Sequence, residues 1–160
     1  MSVKSARPGH WVLVITLLAM ALAAFTMDRS AALDLCGPDS PDPFGRALWD
    51  YGQRYDPLVS DNPFFLRVMS GLSAFVFGPL ELLIAYGLWK GRAWVRLPAI
   101  VWSVAMLYSM VVHTIAELWG PLPPPNPVIA VAAYTAYIIV PLVLLWRFRE
   151  GLVGPASPSA

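Results

Sequence analysis

His113 and Glu117 lie four residues apart inside the apolar stretch YSMVVHTIAELWG. A helix places residues at this spacing on one face, so the carboxylate could orient or charge the imidazole. The imidazole could then exchange a proton with a ligand or stabilise a cation. A structural role explains the same spacing. The two side chains could hydrogen-bond each other or a neighbouring helix, so that neither is left without a partner. The sequence leaves both interpretations open.

Other polar residues also interrupt apolar segments. Inserting an aspartate at the centre of a membrane helix costs about 2.5 to 3.5 kcal/mol of free energy. A carboxylate there is therefore expected to have a bonding partner or a function. Glu81 follows Ser70 by close to three helical turns, so both face one interior, with Glu81 nearer the cytoplasmic side. Glu81 could instead be a neutral acid bonded to a carbonyl freed by Pro79. Asp28 is either a rim residue that caps a loop or an acid that acts on a ligand.

The elements that must position these groups are membrane helices. Hydrophobic residues make up 58% of the 160-residue chain and charged residues only 13%, which is typical of an integral, multi-pass membrane protein. We predict an all-α fold in which four transmembrane helices form a bundle, within a single domain over residues 1–150 and before a disordered tail over 151–160. The predicted helices cover residues 11–27, 64–89, 97–119 and 128–146. Because Lys4 and Arg7 precede the first segment, a secretory signal is the alternative there.

Charge and cysteine content exclude several classes of site. No basic surface typical of a nucleic-acid-binding protein is present, so we expect no nucleic-acid partner. A single cysteine, Cys36, excludes an internal disulfide framework and any cysteine-rich metal site.

Positive charges predict the orientation. Basic residues cluster before the first segment, between the second and third, and after the fourth, which places both termini in the cytoplasm. The connection over 28–63 carries seven aspartates, and its second half is predicted to form a short helix across the outer mouth. Asp56 and Asp61, near prolines, are interpreted as turn formers. High Ala, Arg and Pro usage favours a bacterial inner membrane as the host membrane.

Five motifs resemble those of a known family. They are FTMD at the end of the first segment, LWDYGQRYDPL before the second, FGPLEL within it, VRLPAIVWSV in the third and AYTAYIIVPLVLL in the fourth. Over residues 11–147 the chain resembles the EXPERA family, which contains the emopamil-binding protein, a sterol 8,7-isomerase, and the sigma-two receptor. The resemblance implies a cavity within the bilayer that accepts sterols or cationic amphiphiles. In the isomerases, a carboxylic acid protonates a ring alkene, a carboxylate and an aromatic side chain stabilise the cation, and a neighbouring carbon loses a proton. No metal or redox cofactor takes part, so the resemblance implies neither a metal nor another cofactor here.

The resemblance also assigns residues. Asp28 matches the acidic residue that closes the first helix of the sigma-two receptor, and Tyr134 and Tyr137 resemble its tyrosine pair. Ser70 and Ser73 stand where family members carry a carboxylate, which departs from the isomerase pattern. The predicted catalytic residues are Asp28, His113 and Glu117, and the predicted ligand-binding residues are Ser70, Ser73, Glu81, Met110, Tyr134 and Tyr137.

Three functions follow as alternatives. The leading one is binding of a sterol-like or isoprenoid lipid, or of a cationic amphiphile, between the helices. The second is a double-bond isomerase that acts on such a lipid by protonation and deprotonation. The third is a packing or chaperone subunit of a membrane complex, and a homodimer is one oligomeric state the sequence leaves open.

Overall fold

The computed structural model describes residues 8–149, and every regular element within that range is helical. The predicted tail over 151–160 and the residues Lys4 and Arg7 lie outside this range. The α-helices are α1 (Pro8–Ala23), α2 (Arg29–Ala32), α3 (Pro43–Tyr55), α4 (Pro57–Asp61), α5 (Phe64–Leu72), α6 (Gly78–Trp89), α7 (Arg96–Trp119), α8 (Pro127–Ala133) and α9 (Thr135–Phe148).

Three helical runs of the described chain are long and apolar enough to cross a membrane: Gly9–Ala32, Phe64–Trp89 and Ala93–Trp119. A fourth is obtained if the bent pair α8 and α9 counts as one span. The first run has 24 residues and continues to Ala32, past the end at residue 27 expected from hydropathy. Asp28 therefore lies within the helical run and not in the loop that follows it.

The first two spans each contain one π-helical turn. Ala24–Asp28 joins α1 to α2, and Ser73–Phe77 joins α5 to α6. The second turn directly precedes Gly78 and Pro79, where the proline ring lacks an N–H and crowds the carbonyl four residues earlier. A π turn widens the helix locally and accommodates both effects. The two turns pack against each other, so both spans are distorted at the same depth.

The fourth span is bent by 49° between α8 and α9. The break lies at Tyr134, whose backbone angles (φ −96°, ψ 3°) lie in the sparsely occupied bridge region. A kink at Pro141 is also predicted from the sequence, because proline removes one backbone hydrogen bond of a helix. In the structure α9 continues through Pro141, which is fully buried.

The hydrophobic core occupies the end of the molecule near the connection between α6 and α7. Trp102 is its largest fully buried side chain, and α1 packs on α6 while α7 packs on α9. The core is formed by Leu13, Val14, Leu17, Met20, Ile84, Ala85, Leu88, Val95, Ala99, Trp102, Met106, Val140 and Leu144. Packing is therefore dense at one end of the helices and leaves the other end free for a cavity.

Helices α3 and α4 form a cap over that other end. Asp42 begins α3 by accepting a hydrogen bond from the Phe44 N–H at 2.9 Å. Its carboxylate also accepts bonds from Ser30 and Arg29, both at 2.9 Å, which tie the cap to the first span. Burial acts against the charged form, but these bonds and the Arg29 charge hold the pKa of Asp42 below its usual value. The cap is thus anchored at its first residue.

Candidate ligand-binding cavity

A cavity of 280 Å³ lies between the spans beneath the cap. The first and second spans, α7, the break between α8 and α9, and both cap helices contribute to its wall. It is lined by Ala23, Met27, Asp28, Ala31, Leu48, Tyr51, Val59, Leu66, Met69, Ser70, Ser73, Phe77, Met106, Ser109, Met110, His113, Ala133, Tyr134 and Tyr137. Most of these side chains are apolar, and no lysine or arginine is among the described residues of the wall. Such a site favours an apolar ligand with a few polar or cationic groups.

One end of the cavity carries Asp28. The Ser73 hydroxyl donates a hydrogen bond to Asp28 Oδ2 at 2.5 Å, and both residues line the cavity. Each belongs to one of the two π turns, so the helical distortion brings them together. Tyr137, also in the wall, lies near the same carboxyl. This end offers an acid held in place by a neighbouring hydroxyl.

The other end carries a group of buried and half-buried side chains that we call the outer polar cluster: Tyr51, Asp56, His113, Glu117 and Tyr134. The Tyr134 hydroxyl donates to Asp56 Oδ2 at 2.9 Å, across 78 positions of sequence. The Tyr134 and His113 rings meet edge to face with centroids 4.5 Å apart. His113 Nε2 lies 3.7 Å from Glu117 Oε2, too far for a hydrogen bond, and Glu117 lies beside Asp56. The cluster joins the cap to α7 and to the break between α8 and α9.

Several atoms of the outer polar cluster are buried without a hydrogen-bond partner among residues 8–149. They are Tyr51 Oη, Asp56 Oδ1, His113 Nε2 and both carboxyl oxygens of Glu117. An unpaired buried polar group costs about 1 to 3 kcal/mol, so this concentration is unusual for a purely structural network. The arrangement can accept a polar group from outside the chain.

Glu81 lies apart from the cavity wall. Its side chain is fully buried near Trp102, and within the described part of the chain neither carboxyl oxygen has a hydrogen-bond partner. It therefore does not bond a carbonyl freed by Pro79, as one sequence interpretation supposed. A ligand-binding role for Glu81 stays a prediction.

Most of the other predicted site residues meet in one place. The cavity wall contains Asp28, Ser70, Ser73, Met110, His113, Tyr134 and Tyr137. Glu117 stands behind His113 and does not line the cavity, so any action on a ligand would pass through the imidazole. No group of three or more His, Cys, Asp or Glu side chains suited to holding a metal ion is found between residues 8 and 149.

Asp56 was missed as a site residue. It precedes Pro57, as its interpretation as a turn former requires, but its side chain is fully buried and accepts the Tyr134 hydrogen bond. The motif YDPL gave the only signal, and it did not separate a buried aspartate from an exposed turn. Tyr51 lies outside that motif, on α3, and was also missed as a site residue.

The comparison with known families decides the classification. Residues 43–148 match the EXPERA family, described as the expanded EBP superfamily. The chain belongs to the EXPERA family. No curated protein and no solved structure matches the chain significantly. The EXPERA match, together with the long apolar helices, points to an integral membrane protein.

The EXPERA match begins at Pro43, at the start of α3, and continues to Phe148. It therefore covers the whole outer polar cluster and Ser73, but not the first span or Asp28. The assignment of Asp28 to the site rests on its place in the cavity wall and on its bond to Ser73.

Proposed function

We propose that this EXPERA protein is a four-helix membrane bundle that binds a sterol-like or isoprenoid lipid, or a cationic amphiphile, in the cavity between its helices. The observation that carries the proposal is the cavity itself, an apolar chamber within the spans that holds one hydrogen-bonded carboxyl at its wall. A carboxylate in such surroundings attracts a cation more strongly than it would in water. Aromatic side chains beside it, Tyr137 and Phe77, add to that attraction.

The size of the cavity limits how the ligand is held. Its volume of 280 Å³ lies just below the range for small-molecule sites, about 300 to 1,000 Å³. We expect the ring system or head of the ligand to occupy the cavity, with an aliphatic tail extending between helices towards the bilayer. The direct test is mass spectrometry of the lipids that co-purify with the protein in mild detergent. A tertiary-amine amphiphile should displace the bound lipid, and a preparation that never retains or binds any such molecule would refute the proposal.

The proposed topology places the termini in the cytoplasm and the loop over 33–42 outside, and Cys36 reports on it. A membrane-impermeant maleimide should label Cys36 in intact cells. Because burial, with Asp34 and Asp42 nearby, raises the pKa of Cys36, its thiolate is scarce at neutral pH and labelling should accelerate as pH rises from 7 to 9. In a Cys36→Ser background, Arg92→Cys, exposed in the opposite connection, should react only after lysis. The reverse pattern would invert the topology.

A double-bond isomerase is the alternative, and one observation favours it. Asp28 and His113 both line the cavity, so a donor and an acceptor of protons can face one ligand. Asp28 would give its proton to one alkene carbon, which leaves a carbocation on the other. The C–H bond next to the cation would then break, its electron pair would form the new double bond, and His113 would take the proton. Glu117 would stabilise the resulting imidazolium.

The isomerase alternative predicts a specific isotope pattern. Membranes containing the protein, incubated in D₂O with a candidate unsaturated sterol, should yield an isomer that has gained one deuterium at the protonated carbon. Glu117→Gln keeps the shape but removes the charge, so turnover should fall between about pH 5 and 8, where an unperturbed histidine titrates. Asp50→Asn, on the exposed face of α3, is the matched control and should keep wild-type turnover. An absence of deuterated isomer for every sterol that binds would leave lipid binding as the function.

A further inference from the structure

We propose that the aliphatic tail of the bound lipid leaves the cavity between α7 and α9, past Met110, and lies in an apolar groove on the surface of these two helices. The inference rests on the proposed lipid-binding function and adds a second part to the binding site. The cavity holds the ring system or head of the ligand, and the groove, which we call the tail groove, holds its aliphatic chain.

The tail groove lies along α7 beside the cavity. Its volume is 270 Å³, close to that of the cavity. Val111 and Ile115 in its wall are 58% and 54% exposed, on a helical run that is long and apolar enough to cross a membrane, so the groove opens towards hydrocarbon. All of its lining residues except Thr114 are apolar: Leu107, Met110, Val111, Thr114, Ile115 and Ile138.

Met110 borders both the tail groove and the cavity. On the facing helix, the neighbouring residues Tyr137 and Ile138 line the cavity and the groove respectively. A half-buried methionine therefore lies between the two volumes, where α7 packs on α9. Its side chain is unbranched, has three rotatable bonds and adapts to irregular spaces. A change of its rotamer can join the two volumes without moving either helix.

The polar groups decide which part of a ligand each volume takes. Asp28 and Ser73 lie in the cavity wall, whereas the described wall of the tail groove contains no charged side chain. A polar or cationic group therefore belongs in the cavity and an aliphatic chain in the groove. The cavity alone falls just below the size range of small-molecule sites, but the two volumes together lie within that range.

The position of the tail is a sharper measurement than its contribution to affinity. Lipid and detergent chains are as apolar as the groove, so a tail that moves into the groove gains packing contacts and little from the hydrophobic effect. A photoreactive group on the tail instead reports directly which residues it contacts.

The experiment uses two photoreactive analogues of cholesterol and the purified full-length protein in mild detergent. One analogue carries a diazirine at the end of its side chain, and the other carries it on the ring system. After irradiation, mass spectrometry should locate the tail label on Val111, Ile115 or Ile138 and the ring label on residues of the cavity wall. Excess tertiary-amine amphiphile, which competes for the cavity, should reduce both labels about tenfold at high occupancy.

Substitutions in the tail groove test the same assignment. Val111→Trp should fill the groove and reduce tail labelling of Ile115 and Ile138 about fivefold, because two groups cannot occupy one space, while the ring label stays. Val104→Trp is the matched control, since Val104 is 56% exposed on the same helix but lies outside the groove, and it should leave both labels unchanged. Met110→Ile introduces a stiffer, β-branched side chain and should also reduce the tail label.

The possible results separate the tail groove from the lipid-binding function. A ring label in the cavity with a tail label outside the groove would overturn the groove and leave the function intact. A groove label that persists when the amphiphile removes the ring label would show that an independent lipid chain occupies the groove, and would also overturn the proposal. Unchanged tail labelling in Val111→Trp or Met110→Ile would do the same. If neither analogue labels the protein, sterol binding and the groove fall together.

Discussion

Replacing Asp28 by asparagine is expected to weaken the binding of a cationic amphiphile by about 100-fold, the largest effect on binding that we predict. The carboxyl lines a cavity whose described wall contains no other charged side chain apart from what His113 can carry. A cation bound there depends on one counter-charge in poorly hydrated surroundings. Removing that charge leaves the ligand's ammonium group buried without a counter-ion, which is costly.

The experiment separates charge from shape. A tertiary amine and its isosteric neutral carbon analogue are titrated into wild type and Asp28→Asn in the same detergent. The amine should lose about 100-fold, while the analogue should change by less than about threefold. Ser73→Ala removes the hydrogen bond at 2.5 Å but keeps the charge, so it should cause a smaller loss. Asp50→Asn should change nothing. Equal losses for the amine and its analogue would show that Asp28 shapes the cavity and does not pair with the ligand.

The broad architecture could be predicted from sequence because a bilayer imposes strict lengths and hydropathy. Long apolar segments with few charges determine where helices can cross, and the family match agrees with the motifs that the sequence shows. Residues on one face of a helix follow from its period, which is why His113 and Met110 meet in the cavity wall with Ser70 and Ser73.

The remaining features depend on helix distortions and tertiary contacts, which the regular period of a helix does not predict. Each π turn shifts the register of all following residues, so a helical wheel misplaces Asp28 relative to Ser73. The break at Tyr134 depends on surroundings that include Asp56, 78 positions earlier in the chain. A loop aspartate and a buried aspartate have the same sequence signal before proline, so only the folded cap distinguishes them.

Gly52→Ala is expected to cause a large loss of stability. Gly52 lies on α3 where that helix crosses α4, and an added Cβ would stand 2.5 Å from the Ser60 backbone nitrogen and 2.6 Å from Ser60 Cβ. Neither atom can move without displacing the α4 backbone. Overpacking costs about 1 to 3 kcal/mol, and a clash with backbone should fall at or above the upper end of that range. Thermal unfolding in detergent would measure the loss.

Gly71→Ala is the matched control, because its added Cβ would meet only Ala32 Cβ, at an ordinary 3.8 Å. Alanine also favours a helix over glycine by about 1 kcal/mol, so this variant should be as stable as wild type or more so.

The Gly52→Ala variant also tests whether the cap contributes to ligand binding. Gly52 lies between Tyr51 and Asp56, so moving α3 away from α4 should displace both from the outer polar cluster. Gly52→Ala should therefore also weaken retention of the lipid that co-purifies with wild type. A destabilised protein that retained this lipid as well as wild type does would show that the cap does not shape the cavity.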